Sequence, residues 1–519
     1  MPPRMESNQS LYAALRAAFP EDLDTTAIET ADGAPLYYTW RDLDRATARI
    51  ANLLEWLGLP AGARIAAHVD KSVEALILYL AVLRAGYVYL PLNPGYQGAE
   101  IEYFIGNAEP SVVVCARRSF SWISKIAFKT GTAHVFTLDD DRTGSLLERA
   151  AVHADTHTPA PRAADDLAAI LYTSGTTGRS KGAMLTHGNL LSNARTLKDF
   201  WGWRAGDVLL HALPIFHVHG LFVASHGALL NGSKMLWFGK FAPRAIVERL
   251  AEATVFMGVP TMYVRLLGEP ALNRATCSRM RLFISGSAPL LIETFDTFRE
   301  RTGHTILERY GMSETVMLTS NPYHPKDGER RGGTVGFPLP GVELRVRDDK
   351  GQLAPKGEIG DIEVRGPNVF KGYWRMPEKT REEFTADGFF KTGDMGTFSK
   401  DGYLSIVGRS KDLIITGGYN VYPKEVELAI DEIEGVQESA VIGVAHADFG
   451  ESVIAVVVRK AGSERPSEKE VIGALKSRLA NFKVPKHVHF VEELPRNAMG
   501  KVQKNMLRDR FVPPKTGGR

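Results

Sequence analysis

The densest chemistry in this chain lies in Leu171-Tyr172-Thr173-Ser174-Gly175-Thr176-Thr177-Gly178-Arg179-Ser180-Lys181-Gly182, directly after the apolar run 167–171. A strand feeding glycines, hydroxyls and a lysine offers close backbone N–H groups, side-chain donors and a counter-charge, which together suit a triphosphate. The spacing is not that of a Walker A loop. Four residues on from Gly175, Ser180 stands where the second glycine belongs, and Gly182 stands where Ser or Thr belongs. A polar surface loop has the same composition, so on residue types alone the two readings stay level. The pair His217 and His219, read as strand residues, is not taken as a zinc site, because no HExxH or CxxC accompanies it. Cys115 and Cys277 give neither a disulfide framework nor a thiolate site.

The elements that must hold such a loop alternate between short apolar strands and helices. Residues 64–68 and 112–115 read as strands, and residues 72–84 as a helix with an apolar face. This pattern predicts α/β layers. From 322 to 402 glycine, proline and turn dipeptides crowd around short runs such as 362–364 and 403–406, as in an antiparallel β-rich subdomain. After Gly408 the pattern resets to a smaller α/β piece, and residues 512–519 read as a frayed tail. The expected organisation is a large multi-layer N-terminal domain, 1–408, with its β-rich subdomain, hinged to a small mobile α/β domain, 409–519.

With 519 residues, 44% hydrophobic and 24% charged, the chain needs more than one core and is too apolar for disorder. Lys+Arg of 63 against Asp+Glu of 60 leaves a net charge of +3, which gives no field for gripping nucleic acid. The longest apolar run, 75–83, is far short of the ~20 residues that span a bilayer, and the N-terminus lacks a signal-peptide core. A cytoplasmic protein with no membrane and no nucleic-acid partner is expected.

TSGTTGRSKG resembles the signature of the adenylate-forming superfamily of acyl-CoA synthetases, luciferases and peptide-synthetase adenylation domains. Further blocks follow in that superfamily's order: ALPIFH at 212–217, GSAPL at 286–290, YGMSET at 310–315, TGD at 392–394, GRSKD at 408–412 and PRNAMGK at 495–501. ILYTSGTTGRSKGAML, LFISGSAPL, ERYGMSE and SNPY are most similar to the malonyl-CoA synthetases among them. The resemblance implies ATP, Mg²⁺ and coenzyme A as reactants and activation of a carboxylate as an acyl-adenylate. Attack on the α-phosphate converts a poor acyl donor into a mixed anhydride that a thiol can open.

Carried onto this chain, the resemblance gives Thr173, Ser174, Gly175, Thr176, Thr177, Gly178 and Lys181 to the phosphates, and Gly286, Ser287, Ala288, Pro289 and Tyr310 to the adenine. Asp394 and Arg409 go to the ribose. It makes Glu314 the Mg²⁺ ligand, whose hard oxygen suits that ion, and puts Ser313, where most of the superfamily has Thr, at the α-phosphate. Lys501 becomes the catalytic lysine between carboxylate and α-phosphate, Lys411 the hinge, Gly417 and Gly418 the pantetheine tunnel, and His217 a carboxylate-pocket residue. Arg281, on one strand face with Phe283 and Ser285, is expected to point into the acyl pocket and hold the second carboxylate of a short diacid, malonate or methylmalonate. A ligase for another short-chain, fatty or aromatic acid, a free-standing adenylation enzyme loading a carrier protein, and a nucleotide-binding regulator remain the alternatives. The last is disfavoured by Lys501 and Asp394.

Overall fold

The structure is a computed structural model that describes residues 8–173, 180–416, 419–446, 449–462, 466–497 and 500–511. Packing divides it into two units, Met1–Glu343 with Arg365–Gly388, and Leu344–Val364 with Phe389–Arg519. Of the β-rich segment 322–402, residues 344–364 and 389–402 fall in the second unit and the rest in the first.

The first unit holds two large sheets. In one, Arg64–His68 pairs in parallel with both Val88–Pro91 and Val112–Cys115, and the antiparallel pair Leu167–Thr173 and Lys181–Thr186 extends its edge. In the other, Val208–His211, Val255–Gly258, Leu282–Ser285 and Leu307–Met312 run parallel, and Val316–Ser320 turns back antiparallel on the last. Strands buried on both faces read as continuous apolar runs, and Val112–Cys115 is buried throughout.

The expected helix begins at Val73, with Ser72 accepting from the Ala75 N–H as its cap at 3.0 Å. It is not amphipathic, which corrects the expectation of a single apolar face: every residue of Val73–Arg84 is buried. The helices Leu11–Ala17 and Trp40–Trp56 and the strand Val88–Pro91 contact it, and a helix apolar all round is a core helix. Among the described residues no helix is long and apolar enough to cross a membrane.

The second unit carries a four-stranded sheet in the order Glu343–Arg347, Gly360–Arg365, Phe390–Phe398 and Leu404–Arg409, the last three pairing antiparallel. Its other sheet is built around the long pair Val436–His446 and Gly450–Arg459. The helix Pro423–Asp431 packs on Val436–His446.

Asp431, at the end of that helix, accepts from the Ser439 hydroxyl at 2.7 Å, and burial pushes its carboxyl up to about 7. Its folded-state pKa lies above the ordinary 3.8, so its contribution is fully present below that value and is lost as pH rises towards about 7. Asp431→Asn keeps an acceptor but cannot ionise. Its melting temperature should match the parent's near pH 4 and exceed it by on the order of a few °C at pH 8, as read by thermal unfolding across that range.

Candidate active site

The signature loop joins two antiparallel strands, with Thr173 opposite Lys181 and Tyr172 opposite Gly182. Ser174, Gly175, Thr176, Thr177 and Gly178 lie outside the described residues. Its base is fixed by the Tyr103 hydroxyl donating to the Ser180 carbonyl at 2.7 Å and by the Trp374 N–H donating to the Gly182 carbonyl at 2.7 Å. A Cβ at Gly182 would meet Ile170 at 2.9 Å, so glycine is required there. Gly178 to Gly182 also has the Gly-x-Ser-x-Gly spacing of a hydrolase elbow. That motif needs a strand-to-helix turn, whereas Ser180 leads into the strand Lys181–Thr186.

Lys181 reaches Glu383 at 3.4 Å and stands 4.2 Å from the centre of the Tyr373 ring. The Tyr373 hydroxyl donates to Glu314 Oε1 at 3.0 Å. One tyrosine therefore touches both the expected phosphate lysine and the expected metal carboxylate.

Ser313 and Glu314 sit in a three-residue connection between Leu307–Met312 and Val316–Ser320, where Met312 pairs with Val316. The turn is tight: a Cβ on Gly311 would lie 1.9 Å from the Val316 carbonyl oxygen, and Val316 itself has φ +55°. A β-branched residue in that region costs about 1–3 kcal/mol and persists only where neighbours over-determine it. Here Asn368 Nδ2 donates to the Thr315 and Met317 carbonyls at 2.7 and 3.0 Å, and the Phe370 N–H to the Glu314 carbonyl at 2.8 Å. Tyr310, half-buried, precedes the turn on the same strand.

Residues 286–289 follow the C-terminal end of Leu282–Ser285, the end at which α/β sheets bind ligands. Around them several buried polar atoms have no hydrogen-bond partner among the described residues: Ser285 Oγ, His219 Nε2, and Nε and Nη2 of Arg309. Arg309 is 2% exposed, and burial pushes its guanidinium down to about 9. A Cβ at Gly286 would lie 2.3 Å from Arg309 Nη1, so the arginine lies directly against this loop. His219 Nδ1 stands 3.4 Å from Ser287 Oγ, and burial, with repulsion from Arg309, drives that imidazole well below its ordinary pKa. A neutral histidine, a hydroxyl and a guanidinium with two unpartnered donors together favour an anion.

Two sequence expectations need correcting. Arg281 does not serve the pocket. Its fork grips Asp207, Nε to Oδ1 at 2.7 Å and Nη2 to Oδ2 at 2.5 Å, while Nη1 donates to the Trp201 carbonyl at 3.1 Å. It precedes Leu282–Ser285, so it stands at the strand's far end from Gly286. His217 and His219 are not on a strand: the strand ends at His211, His217 lies in a bend, and His219 opens a π-helical stretch, His219–Ser225. No sequence block points to a role for Arg309 or for the buried His219. The usable signal is Glu308-Arg309, two charges directly after the apolar pair at 306–307 and buried at the start of the strand Leu307–Met312.

In the second unit Asp394 and Arg409 are cross-strand partners, with Arg409 Nε 2.9 Å from Asp394 Oδ1. Lys411 lies in the short turn Ser410–Asp412 that follows; desolvation, with repulsion from Arg409, Lys501 and Arg508, lowers its ammonium to about 8. Lys501 is exposed at a hairpin beyond the turn residue Gly500. Gly417 and Gly418 lie outside the described residues.

The sequence pattern of the AMP-binding enzymes matches residues 16–374, and that of the AMP-binding enzyme C-terminal domain matches residues 425–501. A malonate–CoA ligase of Arabidopsis thaliana is 35% identical over 96% of this chain and 89% of its own length. A long-chain-fatty-acid–CoA ligase of Bacillus subtilis is 34% identical over 96% of this chain and 93% of its own length. The crystal structure of ATP-bound MatB from Rhodopseudomonas palustris is 55% identical, covers 97% of this chain and 99% of its own, and superposes with a TM-score of 0.93.

Because Arg281 serves Asp207, Arg281→Leu should destabilise rather than redirect the protein. Leaving a 1%-exposed carboxylate unpaired costs about 3–5 kcal/mol. Urea unfolding should show that loss, while the acid preference of the folded fraction stays unchanged.

Proposed function

The chain belongs to the AMP-binding enzyme family, and on that premise we propose that it joins malonate to coenzyme A, consuming ATP and releasing AMP and pyrophosphate through a malonyl-adenylate. The observation that carries the acid is Arg309. Its guanidinium is held out of water with Nε and Nη2 unpartnered among the described residues, a liability of several kcal/mol unless a ligand supplies the anion. A diacid does so: one carboxylate is held by the Arg309 fork, and the other is left for the nucleotide. His219 and Ser285 supply neutral hydrogen-bonding groups beside it. A fatty or aromatic acid leaves the charge uncompensated. The 55% identity to MatB supports the same reading, whereas relatives near 35% include both a malonate and a long-chain ligase.

The remaining residues fall into roles that this chemistry requires. Lys181 and the signature loop neutralise phosphate charge, and Ser313 places a hydroxyl at the α-phosphate. Gly286, Ser287, Ala288, Pro289 and Tyr310 enclose the adenine. Asp394, oriented by Arg409, accepts from the ribose hydroxyls. Glu314 fits Mg²⁺: a hard carboxylate oriented by Tyr373 is a donor that this ion would accept beside phosphates and water. When bound, Mg²⁺ would offset phosphate charge. Lys501 meets the charge that develops at the α-phosphate during adenylation. Lys411 is the pivot that ends adenylation and admits the thiol past Gly417 and Gly418.

AMP release measured over a panel of acids tests the substrate. Malonate should be the best substrate and methylmalonate tolerated, since one methyl group discriminates by only ~1–3 kcal/mol; octanoate, coumarate and acetate should be poor. Arg309→Leu should cut kcat/KM for malonate by about 2–5 kcal/mol in transition-state terms while leaving the KM for ATP nearly unchanged. A wild-type preference for acetate, coumarate or octanoate would overturn the diacid reading. Lys501→Ala should lower adenylation about 10²–10³-fold and spare thioester formation from supplied malonyl-adenylate; equal losses in both steps would remove Lys501 from its role.

A further inference from the structure

Lys501 carries its ammonium on a four-carbon stem, and a flexible stem is aimed only as well as its backbone is held. The second unit holds that backbone on both sides. Asn497 and Lys501 close a hairpin: the Asn497 N–H donates to the Lys501 carbonyl at 2.9 Å, the Lys501 N–H to Asn497 Oδ1 at 3.0 Å, and the Gly500 N–H to the Asn497 carbonyl at 2.9 Å. Gly500 takes φ +73°, as the left-handed position of such a turn requires. The remaining group, the Gly500 carbonyl immediately before Lys501, accepts from Arg496 Nη1 at 2.6 Å.

Arg496 is itself tethered. Its Nη2 forms a short ion pair with Glu438 on the strand Val436–His446. A bulge between Val436 and Glu438 resets the alternation of that strand. Glu438 then falls on the same face as Ala440 and Ile442, which pack against Leu494 at the base of the hairpin. Ser439, on the opposite face, bonds to the helix Pro423–Asp431. One planar fork thus connects the strand Val436–His446, which pairs along its length with Gly450–Arg459, to the peptide that carries Lys501. The apolar contacts of Leu494 and Val502 already seat the hairpin base, so the fork acts on the aim of the tip.

We propose that Arg496, anchored by Glu438, is a positioning residue that sets the direction of Lys501 for the adenylation half-reaction. The inference rests on the reading of Lys501 given above. A displacement of about 1 Å in a group aimed at a transition state costs on the order of 10²-fold in rate, whereas a step that does not use Lys501 is indifferent to it.

The two half-reactions separate these effects in the full-length protein. ATP–pyrophosphate exchange with malonate reads adenylation, and CoA consumption from supplied malonyl-adenylate reads thioester formation. Arg496→Ala should lower the exchange kcat by about 30- to 100-fold, and Glu438→Gln by about tenfold, with KM for ATP and malonate and the thioester rate all within about twofold of the parent. Arg496→Lys, which keeps the ion pair to Glu438 but loses the fork's second arm, should recover only part of the rate. The thioester rate doubles as a check that the unit is folded, and Glu438→Gln preserves side-chain volume if Arg496→Ala does not fold. Equal losses in both half-reactions, or unimpaired exchange in Arg496→Ala and Glu438→Gln while Lys501→Ala is inactive in exchange, would overturn the positioning role. Normal exchange in Lys501→Ala would instead overturn the reading of Lys501 and this inference with it, leaving the malonate assignment to the acid panel.

Discussion

A charged guanidinium withdrawn from water with two donors unpartnered among the described residues is the constraint around which the candidate site is arranged. Arg309 occupies the space in which a side chain at residue 286 would sit, so Gly286 has none. It disfavours protonation of His219 and leaves that ring a neutral partner for the loop. Arg281 shows the ordinary solution to the same problem. One strand away, the same residue type is buried against Asp207, bidentate and internally satisfied. The difference between the two arginines is the difference between a group whose partner is built into the fold and a group whose partner must arrive.

A second cost is concentrated a few residues further along the same strand. Gly311 and the positive φ of Val316 force the chain through a turn that few sequences tolerate, and bonds from Asn368 and Phe370 hold it there. What this achieves is placement. Glu314 emerges beside Tyr373, and Tyr373 in turn carries Lys181 over its ring. Residues more than a hundred positions apart in sequence are thereby organised around one aromatic side chain, which no spacing rule in the sequence exposes.

Much of the fold was legible because its signals are local. Residues 64–68 and 112–115 are readable as strands from apolar runs, and 72–84 as a helix. The nucleotide-binding blocks were legible for a different reason: resemblance carries them as ordered strings. What failed was orientation. Alternation along a strand predicts Arg281 and Ser285 on one face, yet a face has two ends, and only the tertiary position of Asp207 decides which end Arg281 serves. The segment 72–84 reads as a helix with one apolar face because its sequence does not reveal what packs on its second side. The histidines at 217 and 219 were misplaced because a π-helical stretch has no recognisable sequence period.

Specificity in this family therefore cannot be read from overall similarity. Relatives at 35% and 34% identity act on malonate in one case and on a long-chain fatty acid in the other, so the catalytic scaffold is common and the choice of acid is local. A hydrophobic pocket discriminates weakly between acids, at ~1–3 kcal/mol per methylene. An unpaired buried charge discriminates in both directions: it rewards an acid that neutralises it and penalises every acid that covers it with hydrocarbon. The penalty is the stronger filter, because it acts against the whole class of monocarboxylic acids regardless of chain length. A single arginine at position 309, exempted from pairing and fixed against a glycine loop, can thus confine a general carboxylate-activating fold to a short diacid.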